Sequence, residues 1–261
     1  MEKLEFPEAE IVPVYVEGRK IEDWVAVVNK KTREVYNIPT SNYELVQHKT
    51  VFEIAYNEVA SRYPEEALQV DVTFTRRGAR MFGKILIETE EAEVKPGDIV
   101  RLGIMFTNSY DGSMGIWTGG YFFRLVCSNG LVMPREILKT HTIHMGDSIE
   151  ERIKARVIEI LDSIEQAVDI MKAAAAKKIT WKEAVELVES FDISRSHKER
   201  IKRLILKEAG IQPEPDAELS LWDVYNGFTY EFTHHIARMN YETAVALNAR
   251  AARVVLAMAM R

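Results

Sequence analysis

Arg76, Arg77, Arg80 and Lys84 place four cations within nine residues, with no acid between them. Guanidinium groups meet phosphate oxygens through two parallel hydrogen bonds and read no base in doing so. A strand further on adds Arg124. Phe82, Trp117, Tyr121, Phe122 and Phe123 are near enough in sequence to offer ring faces to unpaired bases. The competing reading is an exposed turn with solubilising charge, and aromatic side chains that only fill a core.

A second set of residues has the types for metal or nucleophilic chemistry. Asp111, His141 and His144 would supply three ligands, as many as catalytic zinc takes from a protein. None of the compact paired-ligand spacings of zinc modules occurs, so histidines facing solvent or serving the fold compete with this reading. Cys127 with His141 or His144 could form a nucleophile pair, against which stands a buried, inert thiol at the end of an apolar strand. His234 and His235 are neighbours on an expected helix, so they diverge by about 100° and cannot chelate together. His235, beside an aromatic stripe, reads as a satisfied interior histidine. No phosphate-cradling glycine motif is present, and no cofactor or catalytic residue is assigned.

Turns and strands must position these groups. Residues 70–75 and 83–88 alternate apolar and polar, so 76–80 becomes the basic tip of a hairpin. Asp111-Gly112 and Gly119-Gly120 tolerate positive φ and are expected to reverse the chain, as is Gly130. The β-formers at 99–106 and 121–127 then make a three-strand meander. Strands are also expected at 11–16, 24–28 and 35–38, with a helix at 49–62.

From Ser148 the pattern turns helical. Ser148 with Glu151, Thr180 with Glu183, and Ser196 with Glu199 read as capping boxes. The first opens a helix of about eight turns, striped by Ile149, Ile153, Val157, Ile160, Ile164, Val168 and Met171. Later helices carry an aromatic stripe from Trp222 to Ile236, and an almost wholly apolar face from Tyr241 onward.

The run Asn108-Ser109-Tyr110-Asp111-Gly112, followed by Arg124-Leu125-Val126-Cys127-Ser128-Asn129, resembles the core signature of the phage- and plasmid-borne family built on the domain of unknown function 932. Tyr43-Glu44-Leu45-Val46-Gln47 and His141-Thr142 resemble two further elements of that family, so the likeness covers roughly residues 35–170. It implies a mobile-element origin and no particular activity.

Composition sets the remaining bounds. The 261 residues carry a net charge of −6 and can bury a real core. Residues 1–147 hold 17 basic against 22 acidic side chains, and 148–261 hold 17 against 18, so any nucleic-acid surface is a local patch. A lone cysteine, no bilayer-length apolar run and no basic, apolar leader favour a cytoplasmic protein without membrane contact. Glutamine occurs four times in a chain rich in Glu, Lys, Arg and Ile, a bias that points to a thermophile.

The expected fold is α+β. Residues 1–147 form an antiparallel sheet with an intervening helix, and 148–261 form a helical region that packs on it or mediates homo-oligomerisation. The expected function is single-stranded DNA binding that assists annealing or recombination. The layout is loosely similar to the ring-forming single-strand-annealing recombinases, whose motifs are not matched here. The alternatives are a protein-binding module that inhibits a host defence or nucleic-acid enzyme, and a metal-dependent hydrolase.

Overall fold

The structure, a computed structural model, describes residues 4–134 and 148–260. It opens with an antiparallel sheet of β1 (Ala9–Val16), β2 (Arg19–Asn29) and β3 (Val35–Asn37), in that spatial order. Helix α1 (His48–Ala60) leads into a larger sheet of β4 (Leu68–Thr75), β5 (Arg80–Lys95), β6 (Asp98–Ser109), β7 (Trp117–Arg124) and β8 (Asn129–Pro134). Its strands follow one another in space as in sequence, an uninterrupted antiparallel meander.

Alternation along β5 sets the layers. Met81, Ile85 and Ile87 face a core shared with α1, whereas Phe82 and Leu86 join a second cluster on the opposite face. Gly119 and Gly120, expected at a turn, lie inside β7 instead. A Cβ would come within 2.4 Å of the Trp117 ring at Gly119, and within 2.8 Å of the Phe122 ring at Gly120. These glycines make room for rings lying across the strand.

The C-terminal part contains α2 (Ile149–Asp162), α3 (Ile164–Ala176), α4 (Trp181–Glu189), α5 (Arg195–Ala209), α6 (Leu221–Glu231) and α7 (Tyr241–Ala251). Short strands β9 (Lys178–Thr180) and β10 (Glu218–Ser220) pair just ahead of α4 and α6. Both α6 and α7 run on through a π-helical turn, at Phe232–Ile236 and Ala252–Leu256.

The capping boxes at Ser148 and Thr180 form as expected. Helix α5 is capped by Ser194 rather than Ser196, and Ser220 with Asp223 makes a box that the Glu/Gln pattern passes over. The expected eight-turn helix breaks at Ser163 into α2 and α3.

Its stripe nevertheless stays buried: Ile153, Val157, Ile160, Ile164, Val168 and Met171 pack into the core formed with the five-stranded sheet. Ala244, Ala251, Ala252, Val255 and Leu256 are likewise buried within this chain. The apolar helix faces behind the expectation of a homo-oligomer are therefore satisfied internally. One core joins residues from both sides of position 147. No helix among the described residues is long and apolar enough to cross a membrane.

Candidate nucleic-acid interface

The β4–β5 connection turns through Arg76, Arg77 and Gly78, all with left-handed φ, at 50°, 55° and 89°. Consecutive non-glycine residues there are uncommon and mildly strained. The turn is held from inside. The Tyr36 hydroxyl donates to the Arg77 carbonyl at 3.1 Å, and His48 Nε2 donates to the Gly78 carbonyl at 3.0 Å. With the backbone anchored, the two arginine side chains project outward, 62% and 81% exposed. Each has an acidic neighbour, Glu242 at 3.5 Å from Arg76 and Glu34 at 2.7 Å from Arg77.

The other three cations singled out in the sequence are not free. Arg80 is pinned between Asp111, at 2.6 Å, and Glu242. Lys84 lies on the sheet face beneath α7, 2.6 Å from Asp71 and over the rings of Tyr121 and Tyr241. Arg124 is a correction: its guanidinium is buried, bidentate to Asp98 at 2.6 and 2.7 Å, and bonded to Glu208 at 2.9 Å. Trp222 Nε1 donates to the same Asp98 carboxylate at 2.8 Å, so Arg124 serves to bind helices to the sheet.

The expected ring platform is also displaced. Phe82, Tyr121 and Phe122 are buried, while Trp117 and Phe123 pack beside Tyr241 and Val245. The exposed aromatics are Tyr15 and Trp24, on the N-terminal sheet. Strand periodicity marks two faces but does not say which one stays uncovered.

The fold adds cations that sequence spacing did not connect. Asn29 Oδ1 accepts from the backbone N–H groups of Lys31 and Thr32, at 2.9 and 2.8 Å, and shapes the β2–β3 turn. That turn carries Lys30 and Lys31 to the rim of a cleft of about 530 Å³, with Arg77 also on its lining and Phe6 and Pro7 among its apolar members. Lys30 is paired with Glu8 at 2.8 Å. The run Asn29-Lys30-Lys31-Thr32-Arg33 was the available signal, but its separation from Arg77 hid the pairing.

The family-like segments meet in a buried hub. Asn108 Nδ2 donates to the Val46 carbonyl and to His48 Nδ1, at 2.9 and 3.0 Å. Tyr110 stacks on the His48 ring, accepts the His48 backbone N–H, and donates to the Pro7 carbonyl and to Gln47. Burial pulls the His48 pKa down to about 4, only partly opposed by the bond to the Gly78 carbonyl. The imidazole is neutral, with its proton on Nε2 fixed by these partners.

Asp111 is tied to Ser113 and Arg80. Burial would raise its carboxyl pKa, but those bonds outweigh burial and hold it below the ordinary range. The thiol of Cys127 is raised by burial despite Arg124 at 3.2 Å, which leaves it protonated and unactivated at neutral pH. His141 and His144 lie outside the described residues. Among the described residues, no group of three His, Cys, Asp or Glu side chains could hold a metal ion.

His234 bonds to the Cys127 carbonyl and to Asn129, at 3.0 and 3.1 Å, whereas His235 is exposed. This reverses the expectation that His235 is the interior histidine. The adjacent Glu231 is fully buried at the end of α6, bonded to His197 and, at 2.9 Å, to Arg200. Nothing in the sequence pattern singled it out.

An antiparallel meander braced by helices, with Asn108, Asp111, Arg124 and Asn129 tying its turns to the surroundings, defines an α+β domain built around one five-stranded core sheet. The family model described as Domain of unknown function (DUF932) matches residues 35–253, and the chain belongs to that family. No curated protein and no solved structure matches it.

Proposed function

We propose that this protein binds single-stranded DNA through the sugar–phosphate backbone and assists annealing or recombination in a phage or plasmid. The observation that carries the reading is the pair Arg76 and Arg77, projected from a turn whose backbone is anchored by Tyr36 and His48. Lys30 and Lys31, across a cleft from Arg77, extend the cationic rim. The pairs of Lys30 with Glu8 and Arg77 with Glu34 are exposed, and such pairs contribute only about 0–1 kcal/mol and yield readily to a phosphate.

Anisotropy of a labelled oligothymidylate across a salt series tests the reading. Four phosphate contacts on a single strand give a log–log salt slope of roughly −3, and Arg76→Ala with Arg77→Ala halves it. Lys84→Ala leaves the slope unchanged, because that ammonium lies beneath α7. Absence of any binding by the parent protein at low salt would end this reading.

A specific observation favours the second reading, a protein-binding module that inhibits a host enzyme. Tyr15, Val16, Trp24, Val35 and Ile38 expose apolar surface on the N-terminal sheet. Such exposure is the character of a docking face.

A further inference from the structure

A second cleft, of about 580 Å³, opens between the turn after β6 and helix α2. Arg152 and Arg156 lie one helical turn apart on the same face of α2, and both line it. Neither guanidinium has a carboxylate partner among the described residues, although Lys154 between them pairs with Glu58 at 2.9 Å. Arg156 spends one amine on the Ile116 carbonyl at 2.9 Å, while its Nε is shut off from water with no acceptor. Thr118 Oγ1, on the neighbouring strand β7, is buried without a partner as well. Unsatisfied buried donors are costly and rare in a folded protein. Of these two residues, Arg156 lines the cleft itself.

The remaining lining gives the occupant its shape. Tyr43, Met114 and Ile116 offer apolar surface, and Glu44 supplies an acceptor. The volume lies within the range of small-molecule sites. Paired guanidiniums that bond no carboxylate among the described residues favour an anion, and a fork of donors suits phosphate in particular. From this we infer that the cleft binds a phosphorylated small molecule. Its phosphate sits on Arg152 and Arg156, its ring or chain lies against Tyr43, Met114 and Ile116, and a hydroxyl or amine donates to Glu44. This site is independent of the hairpin rim and does not require the DNA reading.

Isothermal titration of the full chain with adenosine monophosphate, adenosine and inorganic phosphate tests it. The monophosphate should bind at least tenfold more tightly than adenosine. Arg152→Ala, at an exposed position, and Arg156→Lys, which keeps a donor for the Ile116 carbonyl, should each weaken it at least tenfold. Arg77→Ala should leave it unchanged. Inorganic phosphate binding as tightly as the nucleotide upholds the anion site and assigns it to the free ion. Failure of both phosphates to bind the parent protein overturns the inference. So does nucleotide binding that survives both α2 substitutions, or that Arg77→Ala abolishes.

Discussion

His48 and Asn108 are 60 residues apart in the chain, and their side chains meet at 3.0 Å in the fold. The contact joins the start of α1 to the end of β6, and with Tyr110 it ties the N-terminal segment to the five-stranded sheet. The signature residues here act by holding secondary structure together, and none of those described is poised as a nucleophile or metal ligand.

The neutral His48 makes stability depend on pH. Its folded pKa of about 4 lies below its ordinary value of 6.5, so protons bind the unfolded chain first. The stabilisation is complete above pH ~6.5, falls as acid is added, and is exhausted below pH ~4, a loss of roughly 3 kcal/mol from this group. Urea denaturation of the parent and His48→Gln between neutral pH and pH ~4 should show the steeper decline in the parent. Parallel curves would refute the assignment.

Arg124→Ala would leave Asp98 buried with Trp222 as its remaining described side-chain partner. Breaking a buried pair from one side costs about 3–5 kcal/mol, so this variant should unfold at much lower denaturant concentration. Arg101→Ala, at a partly exposed pair with Glu91, serves as the mild comparison.

Gly112 has φ of +69°, and a Cβ there would approach Asn37 Nδ2 to 2.7 Å. The amide can swing aside, whereas the backbone angle cannot be relieved so easily. Gly112→Val should therefore cost about 1–3 kcal/mol, more than an ordinary surface change, and an unaltered melting temperature would contradict the turn geometry.

Arg77 occupies a left-handed position at φ 55°. Glycine bears no such penalty, so Arg77→Gly should gain roughly 0.5–1 kcal/mol in stability while it weakens oligonucleotide binding. Loss of both stability and binding would mean that the side chain serves the fold.

The sequence made the meander legible because its apolar alternation and turn residues agree, as at β4–β5 and Asp111-Gly112. Local capping chemistry likewise marked α2 and α4. The depth of each face was hidden. Lys84 and Tyr121 read as surface chemistry until α7 is laid over them, a contact made by residues more than a hundred positions away. Arg124 reads like any strand arginine until Asp98 and Glu208 converge on it. The cleft by α2 was invisible for the same reason. Arg152 and Arg156 look like ordinary solvated helix charges, and what distinguishes them is that neither bonds a carboxylate among the described residues although both line a cleft.

The π-helical turns after α6 and α7 each accommodate one residue beyond what an α-helix of the same rise would contain. The chain is thus locally tolerant of shortening at two places. Deleting exposed His235 would let Leu221 to Met239 continue as regular α-helix, with the later side chains still on their present faces. The same deletion inside α5, at Lys202, would rotate everything beyond it by about 100° and pull Ile205 out of the core. Length polymorphism in this fold should therefore collect at those two turns and be excluded from the uninterrupted helices.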